Sequence, residues 1–155
     1  MNGAKYGLAF LVLAGILSAA SAAYSYGPTR RAQVCLIRAG YTGWVKISYS
    51  VAGAPELPVV DGAYTIVPSG DGHATTSTKM GSGLAEDKYF YVDGDGTRDE
   101  LSLESPPGIV GIRGARYFTI PKLENQRPQE FRVFFVGTLG AYQNAPKADK
   151  FLISY

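Results

Sequence analysis

Turn-forming residues break this chain roughly every ten residues from position 33 onward, and the stretches between them alternate polar with apolar side chains. That rhythm leaves room for short strands and almost none for helices, which want runs of about ten residues or more. The clearest stretch is Gly40-Tyr41-Thr42-Gly43 running into Trp44-Val45-Lys46-Ile47-Ser48-Tyr49. On a strand, Val45, Ile47, Tyr49 and Val51 point one way and Trp44, Lys46, Ser48 and Ser50 the other. The apolar set faces the core. Trp44, the only tryptophan, then either covers a second patch of core or serves as a binding aromatic.

The same reading along the chain predicts a first strand over Gln33–Arg38, joined to the second by a hairpin turn at Ala39–Gly43. The two prolines of Ala54–Pro58 exclude a central strand there, and Asp61-Gly62 turns the chain into Ala63–Val67. An edge strand follows over His73–Ser77. Strands are expected at Lys88–Val92, Thr97–Leu103, Arg116–Ile120 and Glu130–Val136, the last with both faces covered because Phe131, Val133 and Phe135 alternate with Phe134 and Val136. Between them, Ser105–Ala115 reads as the longest irregular piece, of a kind often functional or mobile. Thr138 caps a short helix over Leu139–Asn144, and Phe151–Ile153 reads as a terminal strand. With 19 Gly, 11 Tyr and no alternation of strand with helix, the expected class is all-β: a single two-sheet β-sandwich of about seven to nine short, mainly antiparallel strands, with one short helix near the C-terminus.

A signal helix precedes that domain. Lys5 supplies a positive start, Leu8–Leu17 an apolar run and Ala20-Ser21-Ala22 a cleavage site. The expected divisions are a signal peptide over 1–22, a flexible tail over 23–32 in which Arg30 and Arg31 only keep the chain solvated, and the sandwich over 33–155. The mature chain is then periplasmic or extracellular. The alternative is an uncleaved anchor, but Leu8–Ala23 falls short of the roughly 20 apolar residues a spanning helix wants. Cleavage removes Lys5 alone among the charged residues, so a formal charge of +2 falls by one. So small a charge calls for neither nucleic acid nor, beyond the signal segment, a membrane surface.

Cys35 is the single cysteine. In an exported chain it cannot close an internal disulfide, and its apolar setting reads as a small buried hydrophobe; an intermolecular disulfide and a catalytic thiol are the weaker readings. No cysteine stands after the apolar run where a lipid would be attached. One His and one Cys exclude a closed structural zinc site, and a dyad of Cys35 with His73 would have to join a buried strand thiol to an edge imidazole. Asp93-Gly94-Asp95-Gly96-Thr97-Arg98-Asp99-Glu100 is the one run rich in hard oxygen ligands, and Asp93, Asp95 and Asp99 are the residues that would hold calcium. Against that, Arg98 stands where a calcium loop of the EF type needs glycine, and Asp-Gly is foremost a hairpin turn. Glu86, Asp87, Asp99, Glu100 and Glu104 offer carboxylates for glycoside hydrolysis without a spacing that selects a pair. Gly108, Gly111 and Gly114 lack the helix start of a phosphate loop. Tyr41, Trp44, Tyr89 and Tyr91 are the aromatics that could line one sheet face as a ligand or protein surface, core packing being the alternative.

The ordered series Gly40-Tyr41-Thr42-Gly43-Trp44-Val45-Lys46-Ile47, Gly53-Ala54-Pro55, Leu57-Pro58, Asp61-Gly62, Pro68-Ser69-Gly70, Thr76-Ser77 and Tyr89-Phe90-Tyr91-Val92-Asp93-Gly94 resembles a bacterial family of exported domains of unknown function. The opening turn and strand also resemble, more loosely, transthyretin-like and carboxypeptidase-regulatory-like β-sandwiches. The resemblance implies export, a sandwich and a non-catalytic accessory or binding role, and it names no substrate. The expectation is an exported module without enzymatic activity that meets a protein or small ligand in the cell envelope. The alternatives are a calcium-stabilised structural module and, behind it, a small hydrolase.

Overall fold

The alternating stretches do become strands, and they stack as two sheets. The computed structural model describes residues 29–121 and 128–148. Within them β1 (Gln33–Arg38), β2 (Gly43–Tyr49), β3 (Val59–Val60), β4 (Ala63–Ile66), β5 (His73–Thr75), β6 (Lys88–Val92), β7 (Arg98–Glu100), β8 (Gly111–Ile120) and β9 (Gln129–Gly137) precede one short helix, α1 (Leu139–Asn144). The first sheet runs β3-β4-β1-β6-β7 and the second β5-β2-β9-β8. The expected all-β architecture is therefore present. The signal helix and the strand expected at Phe151–Ile153 lie outside the described residues.

Two local expectations fail, each for a physical reason. The hairpin expected between β1 and β2 is absent, because the turn carries the chain from the first sheet to the second. Both edges of β1 are already taken, by β4 on one side and β6 on the other, both parallel to it. The turn itself is real: the Tyr41 amide donates to the Arg38 carbonyl at 3.1 Å, and Gly43 takes φ +149°, which favours glycine. Repeated crossing also makes the sheets mixed, since β5 returns parallel to β2. Hairpins survive where consecutive strands stay in one sheet, as at β3 and β4, whose turn puts Asp61 at φ 49° and Gly62 at φ 79°.

The second difference lies in the segment read as irregular to Ala115. Strand β8 begins at Gly111, pairs Ile112 with Val136, then slips register between Arg113 and Arg116. Gly114, at φ +56°, sits in that bulge. Glycines that suggest a loop are here the residues a bulged strand requires. Ahead of it, loop 102–110 is tied down by backbone bonds and by Arg113, whose Nη2 donates to the carbonyls of Pro106 and Ile109.

Strand alternation on β2 and β9 gives the fold two hydrophobic clusters rather than one. Val45, Ile47, Tyr49, Phe134 and Val136 fill the space between the sheets with Cys35, Ile37, Ile66, Tyr89, Leu101 and Ile112. Trp44, Phe131, Val133 and Phe135 form a second cluster on the outer face of the second sheet. The expected double coverage of β9 is thus met. Each of these large side chains adds roughly 1.5–3 kcal/mol on burial. Helix α1 supplies part of the outer cover through Ala141 and Tyr142, and it starts as expected, with the Thr138 hydroxyl accepting from the Ala141 amide at 3.2 Å.

One inward position on β9 is not apolar. Arg132 is only 4% exposed and sits in the sandwich interior. Its Nη1 donates to Gln33 Oε1 at 2.9 Å, its Nη2 bonds the Tyr89 hydroxyl, and Nη2 also pairs with Asp87 Oδ2 at 3.0 Å. The guanidinium lies 5.2 Å from the ring centres of both Tyr89 and Tyr117. Among the described residues its Nε finds no hydrogen-bond partner. Asp87 is held from the other side by Arg30 in a fork at 2.9 and 2.6 Å and accepts the Gln33 amide at 2.9 Å. Arg30, expected to be solvated in a tail, is therefore part of the domain; Thr29 and Arg30 also bond the Leu84 carbonyl from their amides.

Burial alone would raise the Asp87 carboxyl, but the Arg30 hydrogen bond, the Arg132 charge and the Gln33 amide outweigh it and set it below its ordinary 3.8. A carboxyl so lowered contributes stability that is complete above the ordinary value and is lost as pH falls through the lowered one. Asp87→Asn should cost roughly 3–5 kcal/mol at pH 7, because it leaves the Arg132 charge buried without its counter-ion. The gap to wild type should shrink as pH falls below the ordinary carboxyl value, because the unfolded carboxyl then takes up a proton that the native one still refuses. Urea unfolding of both proteins at pH 7 and pH 3 checks this, and Arg132→Met, which leaves Arg30 on Asp87, should cost less.

Candidate functional site

The outer face of the second sheet is laid out in cross-strand rows. Trp44 stands opposite Phe135, Lys46 opposite Val133 and Val133 opposite Arg116, and Ser48 opposite Phe131, which faces Phe118. Two concavities open along it. One, of about 550 Å³, runs past Lys46, Ser48, Ser50, Thr75, Gln129 and Phe131. Burial lowers the pKa of the Lys46 ammonium, which lies 4.5 Å above the centre of the Phe131 ring. The other, about 470 Å³, lies between Trp44, the C-terminal side of α1 and the bulged part of β8.

The second cleft is built on an aromatic cluster. Trp44 meets Phe135 edge to face at 5.4 Å and Tyr142 at 5.8 Å, while Phe135 and Tyr142 are 5.6 Å apart. The indole Nε1 donates to the Pro146 carbonyl at 2.8 Å, so the ring is fixed in orientation as well as packed. Tyr142 can lie over β8 only because Gly114 has no side chain: a Cβ there would meet its hydroxyl. The same bulge sets the position of Arg116, which lines the cleft with Gln143 and Lys147. Among the described residues no acid lines this cleft.

The four aromatics picked from sequence do not form one surface. Trp44 is 9% exposed and belongs to the outer cluster. Tyr89 is buried between the sheets under Arg132. Tyr41 and Tyr91 are half-buried against the inner cluster, where the Tyr91 hydroxyl donates to the Tyr41 carbonyl and the Tyr41 hydroxyl to the Trp44 carbonyl. Those two pin the turn that crosses between sheets. Gly72 gives them room, since a Cβ there would strike both the Tyr41 hydroxyl and the Trp44 carbonyl.

Asp93, Asp95 and Asp99 are spread along the turn and β7. All three are exposed, Asp95 accepts the Thr97 amide at 2.9 Å as part of the turn, and Asp99 stands on β7 opposite Tyr91. Among the described residues no three His, Cys, Asp or Glu side chains gather where a metal could be held. Cys35 is buried in the middle strand of the first sheet, and burial pushes its thiol up to about 12. His73 stands on the edge strand of the second sheet.

Sequence reasoning missed Asp87 with Arg132 and the wall made by Tyr142, Arg116 and Lys147. The first left a signal, an arginine in an otherwise apolar strand with both faces covered. The second left none, because it depends on a bulge that brings α1 onto β8.

Comparison with known proteins places these features. The family described as a family of unknown function (DUF6843) matches residues 29–147. A crystal structure of a Bacillus anthracis protein, described as a candidate lipoprotein, superposes with a TM-score of 0.57 at 24% identity, covering 77% of this chain and 87% of that one. That likeness is one of fold. No curated protein matches the chain.

If Gly114 holds Tyr142 down on Trp44, Gly114→Ala should lift it, both by contact and by forcing a residue with a Cβ to φ +56°. The expected cost is about 1–2 kcal/mol, with a red shift of Trp44 emission as the indole gains water. Since Trp44 is the only tryptophan, thermal melting and the emission spectrum of the single variant decide the matter.

Proposed function

This chain belongs to the DUF6843 family of unknown function, and we propose that it is an exported envelope module that works by binding rather than by catalysis. The observation that carries this reading is the cleft over Trp44, a concave site with a rigid aromatic floor and an open polar rim. The buried thiol at Cys35, raised to about 12, cannot act as a nucleophile near neutral pH, which favours binding over thiol chemistry.

Export rests on the leader over residues 1–22 and is supported by the fold shared with the Bacillus anthracis protein. A lipid-bearing cysteine must be free at the mature N-terminus, whereas Cys35 is the single cysteine and its side chain lies inside the sandwich. The mature chain therefore leaves the membrane on cleavage, and its place in the envelope depends on what it binds.

The test is expression of the full tagged chain in a bacterial host, followed by fractionation, N-terminal sequencing and mild cross-linking of the envelope. The reading expects a chain beginning near Ala23 outside the cytoplasm, and a cross-linked species that Arg116→Glu with Lys147→Glu abolishes. A chain retained in the cytoplasm with its leader intact overturns export. Cross-linking that the double variant leaves unchanged overturns binding at this cleft.

A further inference from the structure

Resting on the binding reading above, we infer that the cleft over Trp44 takes a carboxylate carried on a ring. The floor and one wall are aromatic: Trp44, locked by its bond to the Pro146 carbonyl, and Tyr142, set against it at 66°. Fixed, nearly perpendicular rings suit a flat or ring-shaped body better than a flexible chain, because little side-chain freedom remains to be lost on binding. The rim supplies the charge. Arg116 and Lys147 are both exposed, and among the described residues neither makes an ion pair and no acid lines the cleft. Arg116 stands in the row that ends at Lys46, across Val133.

A planar guanidinium meets a carboxylate through two parallel hydrogen bonds, and an ammonium close by adds a point charge without a geometric demand. Gln143 adds an amide able to donate to a hydroxyl or accept from one. Together these groups discriminate in two ways. Removing the charge from the ligand leaves two cations with nothing to meet, and removing the ring leaves the aromatic wall in water. Arg116 owes its position to the bulge at Gly114, the same residue that lets Tyr142 close the opposite wall. One irregularity in β8 thus builds both halves of the site. A ring carboxylate can be aromatic or a uronic sugar, and the rim chemistry serves both.

The experiment follows the indole Nε1–H resonance of the exported chain, which is unique to Trp44, during titration with benzoate and with galacturonate. Benzamide, galactose and acetate serve as controls. A saturable shift with either ring acid, at least about tenfold stronger than with its neutral counterpart and with acetate, is the expected result. A shift with benzoate alone assigns an aromatic acid, and a shift with galacturonate alone assigns a sugar acid. Arg116→Gln with Lys147→Gln should weaken binding about tenfold or more at unchanged melting temperature, since both side chains are exposed. Equal response to acetate overturns the ring requirement, and equal response to the neutral compounds overturns the charge requirement. No shift with either ring acid, alongside a cross-linked envelope species that still depends on Arg116 and Lys147, overturns this ligand class while leaving the binding reading standing.

Discussion

A guanidinium taken out of water is among the most expensive groups a small domain can bury, and Arg132 is buried between the two sheets. Its two terminal nitrogens find the partners that meet most of that cost. Gln33 from β1 and Tyr89 from β6 belong to the first sheet, Arg132 and Tyr117 to the second, and Asp87 stands at the entry to β6 with Arg30 closing the outer side. The apolar cluster fixes how far apart the sheets lie, but apolar contacts tolerate sliding. A charge with three directional partners does not, so the relative register of the sheets follows from the position of Asp87 and Gln33. The hydroxyl of Tyr49 on the Gln33 carboxamide oxygen at 2.8 Å extends the same network to β2.

With the interior settled, the second sheet still carries a second apolar face. Ordinary sandwiches leave the outer faces polar; here Phe131, Val133, Phe135 and Trp44 all point outward and are buried. Part of their cover is a helix of six residues, too short to be stable alone. It persists because Thr138 caps it, Ala141 and Tyr142 seat on the outer cluster, and the Leu139 amide is held by the Pro107 carbonyl at 2.9 Å. A small lid over a large face leaves concavities at its margin, which is where the cleft beside Trp44 arises.

Strands, the capped helix and the class of fold were legible because they follow from local rules: alternation, Asp-Gly at β3 and β4, and Thr138 before Leu139. Which strands would pair was not. Nothing in Ala39–Gly43 separates a hairpin from a crossing turn, since the difference lies in whether β1 has a free edge, and β4 and β6 decide that from far along the chain. Gly111 and Gly114 misled for a related reason, glycine being equally the mark of a loop and of a bulge. The sequence offers Tyr41, Trp44, Tyr89 and Tyr91 as one sheet face or as core, and the fold places them in different surroundings. Alternation separated Trp44 from the core-facing side chains of β2, but the roles of Tyr41, Tyr89 and Tyr91 depend on partners in other strands. Asp87 was one carboxylate among five until Arg30 and Arg132 singled it out.

The strand order has a further consequence, in time rather than in space. Strand β1 waits for β4 and β6, and β2 for β9, which is almost the last element described. Contacts so distant along the chain form late and slowly. Neither sheet can finish while the N-terminal half is made alone, and Arg132, the group that registers one sheet against the other, is itself on β9. A polypeptide emerging from the ribosome in this order stays threadable until nearly its whole length exists. Folding of the whole domain thus waits on its last strands, a delay that the topology itself supplies.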